Sequence, residues 1–313
     1  MIQAPANSAP KHHRPPNSPI APANPQPKPM TAQPTTTPTM PRPKRVYFFS
    51  TCVVDAMAPG AGMDSIELIR AAGIEVDFPQ AQSCCGQPAY TSGYTDEARQ
   101  VAAAQLDLFP EPWPVVIPSG SCAGMLVHHW PRLFADDPVR LKKAERIRSQ
   151  VVEFSEFAVR VLGLALSEVP AGKSAAPRLA DAPVRTPIKV ALHTSCSGRR
   201  EMGTHLPSEA LLRALPGVEL VSFARDAECC GFGGTFSARH PAISGAMVQD
   251  KLQAVRDAGA SVLVSADCGC LLNIHHAAEK MGGAASGQPR CVHLGSFIRE
   301  RMGAADAAQQ VTD

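Results

Sequence analysis

The sequence is marked by several absences. No run of apolar residues approaches the roughly 18 that a membrane span needs, and the N-terminus carries no apolar core of the secretory type. The cytoplasm is therefore the expected compartment. No Cys-x2-Cys pair occurs, which argues against both the ferredoxin-type ligand run and the knuckles favoured by structural zinc. Dinucleotide fingerprints are missing too: Phe236 stands where GFGGTF would need its third glycine, and Ser65 stands there in GAGMDS. No nicotinamide or flavin site is expected. Residues 1–44 hold five Lys or Arg and no acid, leaving 25 basic against 28 acidic residues in the remainder. The formal charge of +2 hides a slightly acidic body, and nothing points to nucleic acid as a partner.

What is present begins with proline. Thirteen of the 30 prolines fall within 1–44, mixed with Ala, Asn, Gln and Thr and without apolar periodicity, so this stretch reads as a disordered tail. From Arg45 the pattern becomes strand, loop, helix. Buried-strand signals lie at 46–49, 74–78 and 114–118, with helical periodicity near 62–72, 95–108, 122–134 and 139–163, the last broken before FSEF. A stretch of small residues and proline at 172–187 reads as a linker. The pattern then restarts, with strands at 188–192, 218–223 and 261–265 and helices near 207–214, 239–257 and 270–281. Even the ends correspond, VVEFSEF (151–157) with CVHLGSF (291–297). Strands alternating with helices predict two tandem α/β domains, 45–171 and 188–303, followed by a C-terminal tail at 304–313. Each domain is expected to be a small parallel sheet flanked by helices, the two related by a pseudo-two-fold and holding the cysteine clusters near their interface.

The duplication is clearest in the ten cysteines. Cys52 is followed after 31 residues by Cys84-Cys85-Gly86, and after 36 more by Cys122. Cys196 is followed after 32 residues by Cys229-Cys230-Gly231, and after 39 by Cys270. A disulfide framework belongs to small exported chains, so clustered thiols here point to metal, cluster or redox chemistry. Adjacent residues have α-carbons about 3.8 Å apart, closer than the roughly 4.4–6.8 Å of an ordinary disulfide. A Cys-Cys-Gly triplet therefore favours two thiolates on one metal centre, with Gly86 and Gly231 permitting close backbone approach. Loops past the ends of parallel strands could surround a cluster, and thiolates are the ligands that iron in clusters prefers. Eight independently buried structural cysteines would not repeat one spacing twice.

These segments, QSCCGQPAY and ECCGFGGTF with STCVVD, PSGSCAGM, HTSC and CGCLLNI around them, resemble the duplicated cysteine-rich CCG domain of the lactate-utilisation iron-sulfur protein family. The resemblance runs from Arg45 to about Met302, and more distantly extends to the B subunit of heterodisulfide reductase and the iron-sulfur subunit of glycolate oxidase. It implies a cytosolic L-lactate oxidation system of several proteins, converting lactate to pyruvate, with this chain as an iron-sulfur electron-transfer component. The partners implied are other iron-sulfur subunits. Carried over residue by residue, it makes Cys52, Cys84, Cys85 and Cys122 the first ligand set and Cys196, Cys229, Cys230 and Cys270 the second; [4Fe-4S] clusters are the expectation, with a site of lower occupancy left open. Heterodisulfide-reductase relatives close each motif with Cys-x2-Cys, whereas Ser119 and Asp267 stand here at the first position of that pair. That departure weakens the alternative of a thiol-disulfide oxidoreductase subunit. A zinc-binding structural or regulatory protein is the other alternative.

Further residues carry open readings. Asp267 could add a carboxylate ligand, and Cys268, without a counterpart in the first half, could add a thiolate. His193 could hydrogen-bond a cluster sulfur or relay a proton, or simply pack at a strand end. Arg199 and Arg200 could bind a carboxylate substrate, or sit at a solvated helix start. His193 and Arg199 are the catalytic candidates. His128-His129 and His275-His276 are expected at the surface, and Cys291, which aligns with Val151, in the apolar core.

Overall fold

Strands buried on both faces must be covered by helices on both, and the short apolar runs of this chain are of that kind. The structure, a computed structural model, describes residues 40–165, 179–183 and 185–303. All of these fall within one compact unit. The first repeat contains β1 (Arg45–Phe48), α1 (Cys52–Met57), α2 (Pro59–Ala71), β2 (Glu75–Asp77), α3 (Gln87–Thr91), α4 (Thr95–Gln105) and β3 (Val115–Ile117). It continues with α5 (Gly120–Gly124), a π-helical turn (Met125–His129), α6 (Trp130–Leu133), α7 (Pro138–Gln150), β4 (Val151–Glu153) and α8 (Phe154–Arg160). The second contains β5 (Ile188–Leu192), a π-helical turn (Gly198–Met202), α9 (His205–Ala214), β6 (Val218–Val221), α10 (Phe236–Arg239) and α11 (Pro241–Asp257). It ends with β7 (Val262–Ser265), α12 (Cys268–Lys280), β8 (Arg290–His293) and α13 (Leu294–Arg301).

Each repeat forms one four-stranded, all-parallel sheet, in the order β2-β1-β3-β4 and β6-β5-β7-β8. The two-residue period of each strand sorts its side chains into two cores. Val46 and Phe48 of β1, Val116 of β3, Val190 and Leu192 of β5, and Val262 and Val264 of β7 all enter one core shared by both repeats. The intervening Tyr47, Val115 and Ile117 face a second core, and Ala191 and Leu263 a third. Helices α2, α8, α9 and α13 supply much of the rest of the shared core. Their packing is reciprocal: α13 lies on α2 of the other repeat and α8 on α9. The two α/β domains are thus related by an approximate two-fold.

Two strands escape the sequence pattern. The helical signal over 139–163 is divided by β4, and β8 occupies the matching place before α13. Each is only three or four residues long and turns straight into a helix. The last strand residue makes that junction: Glu153 Oε2 accepts from the Ser155 amide at 2.8 Å, and His293 Nδ1 from the Gly295 amide at 3.2 Å. At the margins, Met40 packs against the shared core and the Arg42 guanidinium donates to the Ala72 carbonyl, so ordered contacts begin before Arg45. The linker reading at 172–187 lies partly outside the described residues, but Leu179 is buried in the shared core on a 3-10 turn. The rest of the N-terminal tail, 1–39, and the C-terminal tail, 304–313, lie outside the described residues.

Candidate metal centre

Three neighbouring parallel strands bring each cysteine set together. Cys52 opens α1 just after β1, the Cys84-Cys85-Gly86 turn lies between β2 and α3, and Cys122 sits in α5 after β3. Cys196, Cys229-Cys230-Gly231 and Cys270 take the same places after β5, β6 and β7. In both sets the first two thiols, Cys52 with Cys84 and Cys196 with Cys229, are half-buried, and the other two are buried. The Sγ atoms of Cys85 and Cys122 lie 3.4 Å apart. None of the eight forms a disulfide, and all line a single cavity of about 280 Å³.

The glycine of each triplet is required by the backbone. Gly86 and Gly231 have φ of 87° and 86°, in the left-handed region that side chains disfavour. A Cβ would also stand 3.0 Å from the Ala98 carbonyl oxygen in one case and 2.7 Å from that of Ser244 in the other. In this conformation the glycine amide donates back to the first thiol of its pair, over 3.4 Å to Cys84 Sγ and 3.3 Å to Cys229 Sγ. The carbonyl of the second cysteine is held as well. Trp130 Nε1 donates to Cys85 O at 2.9 Å, and Asn273 Nδ2 to Cys230 O at 2.8 Å. Behind the turns, Gln105 Oε1 accepts from the Ser83 amide at 2.9 Å, while the buried Lys251 Nζ donates to the Arg225 carbonyl at 3.0 Å.

The thiols of each set act on one another. A hydrogen bond from Cys52, with further ones from Cys85 and the Gly86 amide, holds Cys84 down to about 3, and Cys52 is pushed up in return. Cys196, Cys230 and the Gly231 amide hold Cys229 down to about 2 in the same manner. One thiol per set is therefore favoured as thiolate, the form that binds metals. Four converging sulfurs, one of them favoured toward the thiolate form, fit a thiophilic metal centre, and iron in clusters is held by such donors.

The remaining sequence candidates fall into distinct positions. His193 follows β5 and is 1% exposed; its donor nitrogen and the Sγ atoms of Cys230 and Cys270 all lie within 4.8 Å of one another. Burial, with the charge of Lys251, holds its imidazole down to about 3. Arg199 pairs with Asp226 at 3.1 Å, and Arg200 is exposed. Asp267 reaches into the other repeat: its Oδ2 accepts from the Ser121 amide at 2.9 Å and from Ser119 Oγ at 3.4 Å. Ser119 and Asp267 thus meet across the domain boundary. Cys268 is 1% exposed, packs on Val54, Ala58 and Ala61 of the first repeat, and lines the cavity. Burial pushes its thiol up. Cys291 lies in the third core, its thiol pushed up to about 12 by burial.

The surface expectation for the histidine pairs needs correction. Only His276 is exposed, and His275 is buried. His128 Nε2 lies 3.2 Å from the Glu201 carbonyl and His129 Nε2 3.1 Å from Glu201 Oε1, because the two π-helical turns that carry these residues face each other. Several supporting residues were missed in the sequence. Asn273, a lone amide one turn beyond Cys270 in an apolar run, could have been found there. Trp130, Gln105 and Lys251 carry no such signal, since none stands within one turn of a motif cysteine.

A family model described as a cysteine-rich domain matches residues 46–127 and again 190–275, one match per repeat. Lactate utilization protein A 1 of Bacillus mycoides is 40% identical over 231 residues, which cover 74% of this chain and 88% of that protein. Lactate utilization protein A of Shouchella clausii is 40% identical over 76% of this chain and 92% of its own length, and that of Bacillus subtilis 39% identical over 74% and 90%. Among solved structures, a hypothetical protein from Helicobacter pylori superposes with a TM-score of 0.60 at 11% identity, covering 86% of this chain. The chain spans about half (51%) of that protein's length, and the likeness concerns the fold alone. With the cysteine-rich domain present twice and curated relatives near 40% identity over most of their length, the chain belongs to the lactate utilization protein A family.

Proposed function

We propose that this chain is an iron-sulfur electron-transfer component of a cytosolic L-lactate oxidation system, acting with partner iron-sulfur subunits. One observation carries the reading: in a chain of this family, two thiol quartets open onto one shared cavity. Bound there, iron-sulfur centres would supply one-electron transfer. The ligands would be Cys52, Cys84, Cys85 and Cys122 in the first repeat and Cys196, Cys229, Cys230 and Cys270 in the second.

The protein's own part is to hold and shield these donors. The amides of Gly86 and Gly231 stabilise negative charge on Cys84 and Cys229, and Trp130 and Asn273 fix the backbone of the vicinal pairs. Burial of Cys85, Cys122, Cys230 and Cys270 keeps water from the inner side of each set. Oxidation of lactate to pyruvate releases two electrons and two protons, so a partner must accept what a one-electron carrier passes on. No helix among the described residues is long and apolar enough to cross a membrane.

Deleting the gene and growing the strain on L-lactate as sole carbon source tests this reading. Growth should fail and return with the intact gene, but not with a Cys85→Ser, Cys230→Ser double variant. Normal growth of a deletion strain with no second lactate-oxidising enzyme would overturn it.

A further inference from the structure

The two repeats share sheet order, glycine turns and a closely similar cysteine spacing, and among the positions beside the thiols where they differ is one at the end of the first strand. Two residues after its sheet-core side chain Val190, Leu192 ends β5, and the next residue is His193; in the first repeat Phe49 follows Phe48 at the end of β1. Both stand three residues before a cysteine, Cys52 or Cys196. Strand alternation turns both away from the shared core, toward the side that holds the buried cysteines. Phe49 accordingly joins the cluster containing Cys85 and Cys122, with its ring edge-on to Phe109 at 6.0 Å.

His193 is the polar member of this pair, and it is left without a partner. It is 1% exposed, and neither Nδ1 nor Nε2 makes a hydrogen bond among the described residues. An imidazole buried with both nitrogens unsatisfied costs several kcal/mol or finds a ligand. The groups in reach are the Sγ atoms of Cys230 and Cys270, with no two of the three donor atoms more than 4.8 Å apart. A metal that holds nitrogen at about 2.0 Å and sulfur at about 2.3 Å brings such donors within about 4 Å of each other, so small side-chain rotations would close the set. Imidazole and thiolate are compatible ligands for iron.

We propose that His193 is a metal ligand of the second centre, so that the two centres differ in kind: all-thiolate in the first repeat, thiolate and imidazole in the second. The inference rests on the presence of iron-sulfur centres argued above, and adds a donor that the cysteine pattern does not contain. Phe49 gives the built-in contrast. The first repeat folds with an aromatic ring at this place, so His193→Phe imitates a side chain the scaffold already accepts.

The test uses the full-length protein, purified without oxygen and reduced, and examined by pulsed electron paramagnetic resonance for hyperfine coupling to ¹⁴N. The intact chain should show a strongly coupled nitrogen of the directly ligated type. His193→Phe, and His193→Cys should the former fold poorly, should lose that coupling while a nitrogen-free signal from the first centre persists. Absence of such a coupling in the intact chain, or its persistence in the variants, would overturn the assignment while leaving the iron-sulfur reading intact. Absence of any iron centre would instead remove that reading, and this one with it.

Discussion

At the scale of single residues, matching positions in the two repeats carry different titratable groups. Glu153 and His293 each end a strand and cap the following helix, and each is fully buried. Burial pushes the Glu153 carboxyl up to about 8, against the help of Ser155, and holds the His293 imidazole down to about 4, although it donates through Nε2 to the Pro118 carbonyl at 3.2 Å. The signs are opposite. The native state keeps a proton on Glu153 that the unfolded chain releases above about 4.5, so stability is complete below that pH and drains as pH rises to about 8. For His293 the unfolded chain takes up a proton that the native state refuses, so stability is complete above about 6.5 and drains as pH falls to about 4. The full effect is on the order of 5 kcal/mol for Glu153 and on the order of 3 kcal/mol for His293. Unfolding by urea across pH 4–9 should show Glu153→Gln flattening only the alkaline slope and His293→Gln only the acid slope. An unchanged alkaline slope in Glu153→Gln would show that this carboxyl is not the source. Neither role was visible in the sequence, since EFSEF and HLGSF gave the correspondence of the two segments without showing that both residues are sealed from water.

At the scale of elements, legibility followed length. Helices α2, α4, α9, α11 and α12 have ten or more residues, enough for an apolar period to show, and the sequence located them to within a few residues. Helices α1, α3 and α10 have four to six and were not separated from the loops. Strands β4 and β8 were merged with their helices or passed over for the same reason, and a π-helical turn has no period of its own. What no local pattern could give is the reciprocal packing of α13 on α2 and α8 on α9, because these pairs are far apart in sequence. That packing is tied by an ion pair, Arg299 Nη1 to Asp64 Oδ1 at 2.7 Å, with Asp64 only 6% exposed. Removing the arginine leaves a largely buried carboxylate unpaired. Arg299→Ala should lower stability by about 1–3 kcal/mol, and Asp64→Asn in the same chain should recover part of that loss. Equal melting temperatures for the intact and Arg299→Ala proteins would mean that this contact contributes nothing to holding the repeats together.

At the scale of the whole molecule, two sites that could have been independent open onto one cavity. The repeated cysteine spacing was legible, because the ends of parallel strands are where such loops converge. Their place near the domain interface was legible too, but not their merging into one cavity, because that depends on how two sheets pack through four helices. The contact between Ser119 and Asp267 shows the difference: nothing in either local segment pairs them, yet together they join the repeats beside the thiols. Packing of Cys268 against the first repeat belongs to the same long-range arrangement. The measurement that bears most directly on the account is iron and acid-labile sulfide per chain in protein purified without oxygen. The account predicts a brown protein containing both, with bound iron reduced in Cys85→Ser and in Cys230→Ser but unchanged in Cys291→Ser. A colourless chain without iron, or equal iron in all three variants, would contradict it.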